Sequence, residues 1–156
     1  MVQLGSFRGI IRNIQDVDES GCIKQVVIDV DHGVVNFIIN SETYVLDQTM
    51  LSVGDQMIGF YDLNAPTPAI YPPRYEAVVV VKVSSQENVY VGYFNQQLIS
   101  ADHQLQLNIS RTTRITTTNG QHFSKNVANR SLIVVYGAAT KSIPAQTTPN
   151  RIIVQC

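Results

Sequence analysis

The chain has 156 residues, 44% of them hydrophobic and 15% charged, with a net charge of −1. That hydrophobic share supports a real core, in one medium domain or two small ones, and excludes a disordered chain. The near-neutral balance weighs against a nucleic-acid binder, which needs a basic surface. Tyr, Thr, Val and Ile are plentiful and Trp is absent, which favours strands. Charge is uneven along the chain. Residues 1–82 carry five Lys/Arg against ten Asp/Glu, net −5, and residues 83–156 carry six against two, net +4. The asymmetry reads either as drift after duplication or as complementary packing, between halves or between subunits.

Met1 to Ser6 is expected to fray. Phe7 to Ile14 reads as the first strand, with Gly9 at a bend or bulge. Asp16 to Gly21 is a turn, and Ile23 to Asp31 a strand. His32-Gly33 turns the chain into Val34 to Asn40, with Val35, Phe37 and Ile39 on one face. Thr43 to Leu46 is a short extended piece, and Asp47 to Val53 a helical turn. Gln56 to Tyr61 is a strand. A loop with four prolines, Asp62 to Arg74, leads to a strand over Tyr75 to Val83. The polar run Ser84 to Asn88 marks a boundary. Strands follow over Val89 to Asn95, Leu105 to Ser110, Thr112 to Thr118, Leu132 to Tyr136 and Arg151 to Gln155, with Asn119-Gly120 as a hairpin turn.

The stretch Gly54 to Val81 has a fainter echo in Asn129 to Val154. Phe37, Ile39, Thr43 and Val45 answer Leu107, Ile109, Thr113 and Ile115 at an offset of 70. Met57, Ile58 and Tyr61 answer Leu132, Ile133 and Tyr136 at 75, and Val78 to Val80 answer Ile152 to Val154 at 74. Gly9 answers Gly92 at 83. A repeat of about this length is too long for a solenoid unit and suits a small five-stranded barrel. The expected fold is therefore all-β: two tandem OB-like small barrels from an internal duplication, residues 1–83 and 84–156. The segment Leu51 to Ala77 also resembles an uncharacterised bacterial family built from two such halves. The resemblance rests on Gly54, Asp55, Gly59 to Asp62, Asn64 to Pro66, Pro68, Pro72, Pro73, Tyr75 and Ala77. In the second half it rests on Tyr136-Gly137 and Ser142 to Pro149. It implies the fold class and no activity.

No complete catalytic, metal or nucleotide motif occurs, and no cofactor is expected. Asp16, Asp18 and Ser20 have the spacing of a calcium loop, but Lys24 and Val27 stand where later ligands are needed. His32, His103 and His122 sit at or near turns without an acidic partner on a helix. Asp29 and Asp31 share a strand face, as a carboxylate pair or a hydrated edge. Cys22 and Cys156 fit neither a zinc site nor a disulfide framework, and read as free thiols of a reducing compartment. MVQLGSFRGII lacks the features of a secretory signal, and no apolar run spans a bilayer, so a cytoplasmic protein without membrane association is expected. The leading site is the proline loop, with Asp62, Tyr71, Arg74 and Tyr75 as ligand- or partner-binding residues. Prolines stiffen it, tyrosines offer flat faces, Arg74 a forked donor and Asp62 an acceptor. The alternative is a purely structural crossover between strands. The expected role is a non-enzymatic module contacting a protein partner or another copy of itself. Its rival is a barrel binding single-stranded nucleic acid or an oligosaccharide, the former made improbable by the charge.

Overall fold

Strand propensity and period-two alternation dominate this chain, and the result is all-β. The computed structural model describes residues 2–156. Among these, the only helical element is the short 3-10 turn Leu46–Gln48. The chain divides into two compact units, Gln3–Val83 and one containing Ser84–Cys156.

In the first unit, β1 (Leu4–Asp16), β2 (Lys24–Val30) and β3 (Gly33–Ile39) form an antiparallel meander. β4 (Tyr44–Val45) precedes the 3-10 turn, and β5 (Gln56–Asp62), β6 (Arg74–Glu76) and β7 (Val79–Lys82) follow it. β1 serves two partners. Leu4 to Ile10 pair with β5, whereas Ile10 to Asp16 pair with β2. A register shift between Ile11 and Asn13 leaves Arg12 as the extra residue of a bulge, which bends the strand. Gly9, expected at a bend or bulge, lies outside the bulge and meets β2 closely. A Cβ there would lie 2.2 Å from the carbonyl oxygen of Asp29, so only glycine lets β1 cross β2 at this point. β6 runs parallel to β3, and β7 antiparallel to β5 and parallel to β4. The core holds Ile11, Val26, Ile28, Val35, Phe37, Met57, Ala77 and Val80.

In the second unit, β8 (Asn88–Phe94) and β11 (Arg130–Tyr136) pair antiparallel, as do β11 and β13 (Arg151–Gln155). β10 (Arg114–Thr117) lies parallel to β13, and β9 (Leu105–Leu107) parallel to β12 (Ala145–Thr147). Phe94, Leu105, Leu107, Val127, Leu132, Val134, Ile152 and Val154 make its core. The chain from β8 to β9 is short. Asn95 and Ile99 close a tight hairpin (N–H of Asn95 to the Ile99 carbonyl, 3.0 Å), so this unit needs fewer residues before its third strand.

The same registers recur in both units. Met57 opposes Lys82 and Gly9, and Leu132 opposes Val154 and Gly92. Thr43 donates its hydroxyl to the Ala77 carbonyl, and Thr113 donates its own to that of Pro149, each at 2.8 Å. Tyr71-Pro72 and Ile143-Pro144 are both cis, just before β6 and β12.

Several expectations need correction. Val79, opposite Phe60, answers Arg151, opposite Val135, which puts the last-strand offset at 72 and not 74. Runs of Val and Ile resemble themselves when slipped, and only hydrogen-bond register fixes the alignment. Leu4 to Ser6 are not frayed, because β5 pairs with them. The helical turn over 47–53 shrinks to Leu46–Gln48, since Asp47 (φ 61°) and Gln48 (φ 50°) are left-handed. The strand expected over 75–83 breaks at Ala77-Val78, where the amides bond to Ile38 and Phe60 on opposite neighbours. β9 stops at Leu107, and Ile109 is 38% exposed despite its alternation.

Candidate functional site

Alternation along β1 sends Phe7 inward and Ser6, Arg8 and Ile10 outward. Phe7 meets three further rings. Tyr61 stacks on Tyr75 with centroids 4.0 Å apart, Phe7 lies 5.8 Å from Tyr61 and 5.6 Å from Tyr75, and Phe37 tilts against both tyrosines. Glycines make room for the rings. A Cβ on Gly59 would sit 2.5 Å from the Phe37 ring, and one on Gly5 2.6 Å from that of Tyr61. Gly5 faces Tyr61 directly across the β1–β5 ladder, an aromatic ring shielding a bare stretch of backbone. Burial, with the neighbouring Tyr75 phenol adding to it, pushes the Tyr61 hydroxyl above its ordinary range.

Beside this stack opens a cleft of about 440 Å³. Ser6, Phe7 and Arg8 form one wall, the turn from Val30 to Val35 a second, and Tyr71 and Pro73 a third. Pro73 is anchored, its carbonyl accepting the Asn36 amide at 2.9 Å. Tyr71 is 78% exposed, yet its hydroxyl lies 2.9 Å from where a Gly33 Cβ would stand. Gly33 (φ 147°) both turns the chain and admits that ring. Arg8 and His32 are exposed cations or cation precursors at the cleft, with Asp31 the single acid among its lining residues.

The four residues expected to form the site do not converge. Tyr71 lines the cleft. Tyr75 is half-buried in the aromatic stack, where its face is used by Tyr61 and Phe7. Arg74 is exposed on β6, opposite Asn36, and is not part of the cleft wall. Asp62 shapes the loop itself, its Oδ1 accepting the Asn64 amide at 2.9 Å. The residues the sequence reading missed are Phe7, Arg8 and the turn Val30 to Val35. Gly33 beside His32 was the available signal, read there only as a turn.

The remaining candidates resolve into local structure. Asp16 is paired with Lys24, and Asp18 accepts the Ser20 amide and hydroxyl. Those bonds from Ser20 hold the Asp18 carboxyl below its usual range. Asp29 pairs with Arg12 at 2.8 Å, while Asp31 lies in the turn. His32, His103 and His122 are exposed, and both cysteines are free and exposed. Among the described residues, no group of His, Cys, Asp and Glu is placed to hold a metal ion, and no helix is long and apolar enough to cross a membrane.

In the second unit the buried polar centre is Ser100. Its hydroxyl donates to Asp102 at 2.6 Å and accepts the amides of Gln104 and Leu105. Burial alone would raise the Asp102 carboxyl. The hydrogen bonds from Ser100, Tyr90 and the Gln104 amide outweigh it and hold the carboxyl low. Every donor is turned to the tight turn between Ser100 and Leu105, so the constellation is structural. A scan against protein-family models and a search of curated proteins both find no match to the chain.

Proposed function

We propose that the protein is a non-enzymatic binding module whose ligand is a segment of another protein, held in the cleft between β1, the β2–β3 turn and the proline loop. The observation that carries this reading is Tyr71: a large ring, 78% exposed, braced by Gly33 on a loop stiffened by Pro72 and Pro73. A rigid exposed aromatic binds with little loss of conformational entropy, and such anchors dominate protein interfaces. The first half's net charge of −5 disfavours a phosphate backbone as the occupant.

We also propose that each unit is an OB-like barrel and that the two arose by duplication. Supporting this is the pairing of β1 with both β2 and β5, of β3 with β6, and of β5 with β7. Taken as one broken strand, residues 74–82 close that ladder. Recurrent registers and the paired Thr43 and Thr113 bonds support the duplication. Membership of the bacterial two-repeat family is proposed on the same ground as its resemblance, and a cytoplasmic location on the two free thiols.

The test is an amide-shift titration with peptides selected from a random display library, a mixed single-stranded oligonucleotide and a neutral oligosaccharide. Selected peptides are expected to move the Gly33 and Tyr71 amides, and Tyr71→Ser to weaken them by about tenfold or more. Salt-dependent shifts from the oligonucleotide around the exposed Arg111 and Arg114, with no peptide response in the cleft, would overturn the reading.

A further inference from the structure

The backbone of β1 offers more than a wall. Along the β1–β5 ladder, the Leu63 amide bonds to the Gln3 carbonyl and the Ile11 amide to that of Asp55. Both bonds belong to one antiparallel register. Antiparallel pairs alternate, so the odd-numbered residues from Gln3 to Ile11 exchange hydrogen bonds with β5. The even-numbered residues Leu4, Ser6, Arg8 and Ile10 therefore aim their N–H and C=O groups the other way. Ile10 finds Asp29 of β2. Ser6 and Arg8 meet no facing strand among the described residues, because β2 reaches only to Val30 and its turn leaves β1 at the Gly9 crossing. Ser6 and Arg8 are exposed, and both line the cleft.

We infer that the cleft takes its ligand as an added β-strand along Leu4 to Arg8. This rests on the binding role proposed above for the same cleft. An open row of backbone donors and acceptors is a template for an extended chain, whereas a folded surface or a sugar ring cannot match its spacing. The side chains specify the occupant further. Arg8 has no ion-pair partner among the described residues, so a carboxylate on the incoming strand complements it. Phe7, Val30 and Tyr71 provide apolar contact for the residues on the strand's other face. The occupant is thus an extended segment of a partner protein with small apolar or β-branched residues and one acid.

The probe is a capped peptide of alternating Thr and Val with a single Glu, titrated into the full chain. Two N-methylated forms accompany it, each blocking the N–H groups along one edge of the peptide. One form is expected to lose binding by about tenfold or more and the other to keep it, since a strand bonds its neighbour with alternate N–H groups. Hydrogen exchange at the Ser6 and Arg8 amides should slow on binding, and Arg8→Ala or Glu→Gln in the peptide should weaken it several-fold. If both N-methylated forms bind like the parent while Tyr71→Ser still weakens binding, the cleft binds peptide but not by strand addition. If the probe does not bind, strand addition is overturned, and the library peptides decide the cleft separately. Protection of Ser6 and Arg8 without peptide, with a mass that doubles on concentration, would make a second copy the occupant and overturn the inference too.

Discussion

Tyr71 and Tyr75 lie four positions apart, and their fates differ because one precedes β6 and the other belongs to it. Within β6, Tyr75 sits opposite Phe37 and turns inward to the ring stack. Outside it, Tyr71 brings its hydroxyl against Gly33 and stays exposed. Removing the Tyr71 ring should therefore leave stability unchanged within about 0.5 kcal/mol while binding falls, as chemical denaturation and titration would show. Gly59 behaves in the opposite way. Gly59→Ala places a methyl into the Phe37 ring, and a cost of about 1–3 kcal/mol is expected from the denaturation midpoint. Both glycine and tyrosine were visible in the sequence as residue types. Which tyrosine packs and which does not was invisible, because inward and outward positions depend on where the ladder begins.

At the scale of elements, β1 and the broken last strand organise the first unit. β1 pairs with β5 along its first part and with β2 along its second, and because β2 ends at Val30 the outward edge at Ser6 and Arg8 has no second strand. Sequence alternation located β1 well enough to name Gly9 but not to separate the close crossing from the bulge. In the second unit, the turn after Ser100 depends on one buried hydroxyl. Ser100→Ala would strand the Leu105 amide and leave the Gln104 amide only its bond to Asp102, and a loss of about 1–3 kcal/mol in denaturation is expected. Among the short strands, β9 is legible but reads too long, β6 merges with β7 into one strand, and β12 goes unread. The three residues of β12 carry too little pattern to read as a strand, and its parallel pairing with β9 joins segments distant in sequence.

Across the whole molecule, both units hide phenols. Burial raises Tyr90 and Tyr136 in the second unit, as it does Tyr61 in the first. A phenol whose folded pKa is raised contributes stability that is complete below its unfolded value of about 10 and lost as pH rises through the folded value. Stability should therefore hold through neutral pH and fall steeply above about pH 10, with the phenolate absorbance of the folded protein rising late. At the acid end Asp102 works with the reverse sign. Its lowered pKa adds stability above the unfolded value of about 3.9, lost as pH falls through the folded one.

What the sequence determined by itself is the all-β class, the order of most strands and the positions of the main turns. These follow from side-chain alternation and turn chemistry, which act over a few residues. The tertiary structure alone decided the register of the last strands, the partition of the tyrosines and the place of the cleft. Phe7, Gly33 and Tyr71 are far apart along the chain, and only the bend in β1 and the crossing at Gly9 bring them to one opening.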